Sequence, residues 1–131
     1  MKTKEENVRA RFGKALVALG QIEVLMENHF YDIVVNRIYY SCFYAASAAL
    51  MQLDVTPKTH KGVHMQFGLH FVQTGLVPNE LANTLPATFF MRQKQDYNDF
   101  DEINIETIER LSTSAKKFVE KLQEFIDNKQ K

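Results

Sequence analysis

One cysteine, Cys42, stands in 131 residues. No disulfide can form within the chain, and a reducing cytosol is the compartment that this usage fits. An excess of either charge is also lacking. The 16 basic and 16 acidic residues cancel to a net charge of zero, so there is no global pull toward nucleic acid or an anionic membrane, and any such binding must come from a local patch. Long hydrophobic runs are absent too. The longest uncharged apolar stretch, Ile38 to Met51, falls well short of the roughly 20 residues that a spanning helix needs. The opening Met1-Lys2-Thr3-Lys4-Glu5-Glu6-Asn7 has no apolar core of the kind that marks a secretory signal. The expectation is a cytoplasmic protein with no membrane segment. There is no Gly-x-x-x-x-Gly-Lys loop and no Gly-x-Gly-x-x-Gly, which excludes the nucleotide-hydrolase and dinucleotide-binding folds. No alternating strand pattern, internal repeat or low-complexity linker interrupts the chain. What remains is a 45% hydrophobic sequence of a length that fits a single domain over residues 1–131, able to bury roughly two thirds of its unfolded surface.

Helical periodicity fills that domain. Val8, Phe12, Ala15, Leu19, Ile22 and Met26 step by four and three residues along a first helix. Gly13 and Gly20 interrupt it, each at a cost of up to about 1 kcal/mol against alanine, which close approach of a neighbouring helix would offset. A second, aromatic helix is predicted over Tyr31 to Leu53, with Ala45, Ala46, Ala48 and Ala49 permitting close packing on two faces. Asp54-Val55-Thr56-Pro57 reads as a break, Thr56 being the N-cap and Pro57 the first residue of a third helix that reaches about Thr74. This helix places His60, Val63, His64, Phe67 and Phe71 on one side, and Gly75 ends it in the left-handed conformation. Asn79 is placed as the cap of a short turn, and Pro86 starts or kinks the next helix, whose stripe carries Phe89, Arg92 and Asp96. Asn98 to Glu102 is polar and turn-forming. The last helix repeats the pattern in Ile108, Leu111, Ala115, Phe118, Leu122 and Phe125, and is expected to fray in its final four residues. The fold class is therefore all-α, an up-and-down bundle of four or five helices.

The aromatic helix carries one charge over Asn36 to Leu53, Arg37. A buried guanidinium does not deprotonate, so it must meet a carboxylate or reach water. Asp96, in Arg92-Gln93-Lys94-Gln95-Asp96-Tyr97, is the expected partner. Arg92 and Asp96 are four apart in the orientation that is less favourable for an isolated helix. Two readings stay open: a structural bridge to Arg37, or a functional arginine at a cleft that holds a phosphate by a bidentate contact. His60 and His64 are one turn apart beside Lys58 and Lys61. As a lone His-x-x-x-His, with no glutamate after the first histidine and no further ligand at recognisable spacing, they make no zinc-protease site. No metal and no cofactor are expected. Half-buried histidines bonded to backbone, or an anion patch near a helix N-terminus, are the alternatives. Tyr31, Tyr39, Tyr40, Tyr44 and Tyr97 read first as core, their hydroxyls seeking partners in Arg37 or Asp96. Ser41 and Cys42 have no histidine nearby in the sequence to activate them.

Three segments together, Asn36-Arg37-Ile38-Tyr39-Tyr40 with Phe43-Tyr44-Ala45-Ala46, Lys58-Thr59-His60-Lys61-Gly62 with Phe67, and Arg92-Gln93 with Asp96-Tyr97, resemble the HEPN domains (higher eukaryotes and prokaryotes nucleotide-binding), in particular their small stand-alone prokaryotic branch. The resemblance spans almost the whole chain. It implies an up-and-down helical bundle that forms a homodimer, often encoded beside a minimal nucleotidyltransferase as a toxin–antitoxin pair. Many relatives are metal-independent ribonucleases, in which an arginine is followed, four to six intervening residues later, by a catalytic histidine at the dimer cleft. Arg92 matches that arginine, but Tyr97, Asn98 and Asp99 occupy the positions after it and no histidine stands there. No catalytic residue is assigned on this basis. The resemblance instead implies a protein that binds a nucleotide, RNA or a nucleotidyltransferase partner, with Arg92 as the anion contact, Asp96 as its orienter, and Arg37, Tyr97, His60 and Lys58 around it. A ribonuclease toxin in which His60 or Tyr97 replaces the missing histidine, and a structural dimeric interaction module, are the alternatives.

Overall fold

Thr3 begins the first helix. Its hydroxyl accepts from the backbone N–H of Glu6 at 3.1 Å and donates to the Glu6 carboxylate at 3.2 Å, so one of the orphan donors of the first turn is satisfied. Helix α1 then runs Lys4–Glu27. A turn follows with His29 at φ 61°, a left-handed conformation that histidine tolerates better than most side chains. It reverses the chain into α2, Tyr31–Gln52. Asp54, at φ 62°, closes α2. The computed structural model describes residues 2–97 and 104–131, apart from the side chains of Asp96 and Tyr97. Within those residues the elements continue as α3, His60–Phe67, a π-helical turn, Gly68–Val72, a 3-10 turn, Asn79–Leu81, then α4, Thr84–Tyr97, and α5, Ile105–Lys129. There is no strand among them. The all-α expectation holds.

Helix α2 lies at the centre, packed against α1, α3, α4 and α5. Its four alanines are fully buried, as are Ile38, Tyr39, Cys42 and Leu50. A residue no larger than alanine lets the neighbouring backbones close in on both faces, which is why an almost uncharged helix is stable here. The stripes of α1 and α5 supply the facing layers, Val8, Phe12, Ala15 and Ile22 from one and Ile108, Leu111, Phe118, Leu122 and Ile126 from the other. Phe67 and Phe71 stack at 4.8 Å and meet Phe118 and Phe125 of α5 at 5.4 and 4.9 Å, an aromatic seam that fixes α3 and its π turn to the bundle.

Several local expectations are corrected. The third helix is capped by Thr59, whose hydroxyl accepts from Gly62 N–H at 2.9 Å, and not by Thr56. The side chain at 62 must be glycine-small, since a Cβ there would lie 2.9 Å from Pro57 Cβ. The helix does not reach Thr74 as one α segment. It widens into the π turn after Phe67, and Gly75 then closes the segment at φ 78°, as its sequence position suggests. Asn79 opens the 3-10 turn without a side-chain capping bond. Gly13 and Gly20 admit no neighbour, because nothing among the described residues comes within 4 Å of a Cβ built on either. The end of α5 is held rather than frayed. Gln130 accepts from Arg9 Nε at 2.8 Å and donates to Gln52 at 2.9 Å, and Arg9 also pairs with Asp127 at 2.7 Å. Asn98 to Glu102 lie outside the described residues.

Candidate functional site

Tyr39 is fully buried in the middle of α2, and a buried hydroxyl needs a partner. It finds two. Its oxygen lies 3.0 Å from His60 Nδ1 and 3.1 Å from His64 Nε2. The one-turn spacing of the two histidines on α3 puts both imidazoles on the side facing α2, where a single oxygen reaches them together. Of the readings open for these histidines, backbone bonds or an anion patch, the first gives way at these two nitrogens to a side-chain triad, and the Tyr39 hydroxyl turns to the histidines. Packing fixes the rings further. His60 stacks on Phe43 with centroids 4.1 Å apart, and His64 meets the edge of Phe89 at 5.0 Å.

Arg92 comes to the same place from α4. Its guanidinium carbon sits over the Tyr39 ring at 5.4 Å and over the Tyr40 ring at 5.1 Å. His60 lies against the same two rings, 5.9 Å from each by centroid. Two tyrosines of α2 are thus the common floor under a cation from α4 and an imidazole from α3. A guanidinium over aromatic faces is held by cation–π attraction and weakly hydrated, while its planar fork stays suited to an oxyanion.

The electrostatics follow from this crowding. Burial lowers the His60 pKa below its usual value and the Arg92 charge adds to the effect; burial and then His60 do the same to His64. Both imidazoles are therefore neutral at neutral pH. Burial raises the Tyr39 pKa, opposed in part by Arg92, so its hydroxyl keeps its proton. Cys42 is buried and its thiol is pushed up to about 12 by desolvation. Ser41 donates to Ile38 C=O at 2.7 Å. Neither is an activated nucleophile.

Arg37 is half-buried on α2, with Nε and Nη2 donating to Asn36 Oδ1 at 3.1 and 2.7 Å and Nη1 to Gln21 at 3.4 Å. Its guanidinium also lies 5.6 Å from the Tyr40 ring, so Tyr40 touches both arginines. Neutral amides, not a carboxylate, satisfy it in these contacts. The expected pairing with Asp96 falls on a side chain outside the described residues, as does the role given to Tyr97. Lys58 is exposed, ahead of the Thr59 cap. The structure therefore brings together Arg92 and His60 from the expected set and adds Tyr39, Tyr40 and His64. The His60–His64 spacing is a signal visible in the sequence; that Tyr39 stands opposite it is not. Among the described residues no group of three or more histidine, cysteine or acidic side chains could hold a metal ion. No helix there is long and apolar enough to cross a membrane.

A bundle of this order, with an aromatic central helix and an arginine set over it, defines a class that the comparisons identify. A family model described as HEPN domain matches residues 8–126, and the chain belongs to that family. It is similar to two proteins of Methanocaldococcus jannaschii. "Putative toxin MJ0142" is 34% identical over 116 residues, covering 88% of this chain and 79% of the relative. "Putative toxin MJ0605" is 31% identical over 121 residues, covering 92% and 90%. A protein of Thermotoga maritima named "UPF0332 protein" is 30% identical over 128 residues, covering 98% and 97%.

Proposed function

We propose that this chain is a toxin-like HEPN protein that binds the phosphate of RNA or a nucleotide at Arg92, works in the cytoplasm as a homodimer, and has a minimal nucleotidyltransferase as its partner. The observation that carries the reading is Arg92 over Tyr39 and Tyr40 beside His60. An oxyanion meets there a charged fork and an imidazole, and the half-buried Tyr40 ring is the aromatic face that a base could reach. The names of the relatives support the toxin-like role. The dimer is supported by a groove of about 570 Å³ between α1 and α2, lined by Gly20, Gln21, Val24, Leu25, Ile33, Asn36 and Arg37. Val24 and Ile33 are exposed there to 59% and 44%, an apolar face that a second copy of the chain would cover. Fluorescence anisotropy with a labelled single-stranded RNA tests the binding. The reading expects saturable binding that Arg92→Ala weakens, and equal binding by the variant would leave only a structural role for the arginine.

One observation favours the ribonuclease alternative. His60, absent from the usual place after the arginine, reaches Arg92's neighbourhood from α3 as a neutral imidazole, the form that a general base requires. An RNA degradation assay with wild type, Arg92→Ala and His60→Ala decides it. Cleavage abolished by either substitution establishes the enzyme.

A further inference from the structure

The Tyr39 hydroxyl has one hydrogen and two histidine nitrogens within bonding distance, 3.0 and 3.1 Å away. With both imidazoles neutral, it donates to one ring and accepts from the N–H of the other. Either direction keeps both hydrogen bonds of the Tyr39 oxygen, so the unit has two arrangements that differ in where the protons sit. Now add a proton. An imidazolium at His60 donates from Nδ1 to the Tyr39 oxygen, Tyr39 donates to His64 Nε2, and every group is still paired. Add a second, and both histidines direct an N–H at the same oxygen, which leaves the tyrosine hydrogen without the acceptor that it had. The triad therefore accommodates one extra proton and resists two.

Among the described residues, Tyr40 of α2 and Arg92 of α4 face this unit, while Lys61, on α3 itself, is exposed; the Asp96 side chain, also on α4, lies outside them. The charge that opposes protonation is Arg92, and an oxyanion bound to Arg92 cancels it. Resting on the reading of Arg92 as an anion contact, we propose that oxyanion binding there is coupled to uptake of a single proton by the His60–Tyr39–His64 unit, which carries it on His60 beside the ligand. The proton adds a positive charge on His60 to the one that Arg92 already presents to the ligand. His64 serves as the acceptor that keeps Tyr39 paired, and Tyr39 as the positioning residue that limits uptake to one proton.

Sulfate is the probe, because its charge is fixed across the histidine range. Its binding is measured by isothermal titration calorimetry between about pH 5 and about pH 8, in two buffers of different ionisation enthalpy so that protons taken up are counted. Sulfate affinity is expected to rise on acidification, with a limiting slope of about tenfold per pH unit, that of one linked proton, and the buffers to report proton uptake that approaches one and never two. Tyr39→Phe is expected to lift the limit that the hydroxyl imposes, so that the second histidine takes up its proton by NMR at a higher pH than in wild type. His60→Gln should bind sulfate with no pH dependence. Wild-type binding that is flat with pH, or pH dependence unchanged in His60→Gln, overturns the coupling. If His60→Gln fails to fold, the wild-type proton count alone decides whether the coupling stands. No sulfate binding by wild type, or equal binding by Arg92→Ala, overturns the anion reading itself, a result distinct from binding without a linked proton.

Discussion

The hydroxyl of Tyr39 meets His60 Nδ1 at 3.0 Å, joining the buried centre of α2 to the first residue of α3 across 21 positions of sequence. The same oxygen serves His64, so two elements are tied by a polar contact inside an otherwise apolar seam. Tyr39→Phe removes the oxygen and leaves both imidazoles short of a partner. A loss of about 1–3 kcal/mol is expected, the cost of stranding buried polar groups. Urea unfolding with an unchanged slope and a lower midpoint is the expected result.

Stability should fall on acidification. His60 and His64 have folded pKa values lowered from 6.5, so between the folded and unfolded values the unfolded chain binds more protons. Their contribution is present in full above the unfolded value and is lost as pH falls through the folded values. Thermal unfolding followed by circular dichroism from neutral to mildly acidic pH checks the sign. His60→Gln and His64→Gln should each flatten the profile, and a profile rising toward acid would contradict the half-buried neutral histidines.

Binding of single-stranded RNA should depend on Arg92 more than on any lysine near it. Loss of charge-assisted hydrogen bonds, at about 1.5–3 kcal/mol, corresponds to about 10- to 100-fold in affinity. Arg92→Lys should recover only part, because a point charge replaces a planar fork. Lys58→Ala, at an exposed position, should change little at fixed salt. Anisotropy titrations of the three variants give the order.

Association should depend on the groove between α1 and α2. Val24→Asp or Ile33→Asp places a carboxylate where the proposed partner subunit buries apolar surface, and the proposed dimer is expected to give way to a monomer of about 15.2 kDa. Light scattering distinguishes them. A wild type that is monomeric at every concentration ends the dimer reading.

Much of the fold is written in local pattern. Most of each four-three stripe of α1 and α5 is buried, with Leu19, Met26 and Phe125 packed at the edge, because amphipathic periodicity is itself the instruction for burial. The caps are less legible. Thr56-Pro57 has the composition of a helix start, yet Thr59 accepts the bond from Gly62, since the site of the first turn depends on how the segment leaves α2. The glycines mislead for a related reason. Gly13 and Gly20 are small at positions where, within this chain, nothing is close.

Composition and period are enough to establish the all-helical class, the almost uncharged character of the aromatic helix, the absence of a disulfide within the chain and the presence of Arg92 without a histidine after it. Local physics reads these properties directly. What surrounds that arginine belongs to the packing. Tyr39, His60 and Arg92 sit on three helices whose contacts are set by packing of alanines and phenylalanines elsewhere in the core. Nothing in the spacing along the chain states that one hydroxyl lies between two imidazoles, or that a guanidinium rests on the same pair of rings. Long-range packing assembled the site, and the desolvation that came with it made its histidines neutral.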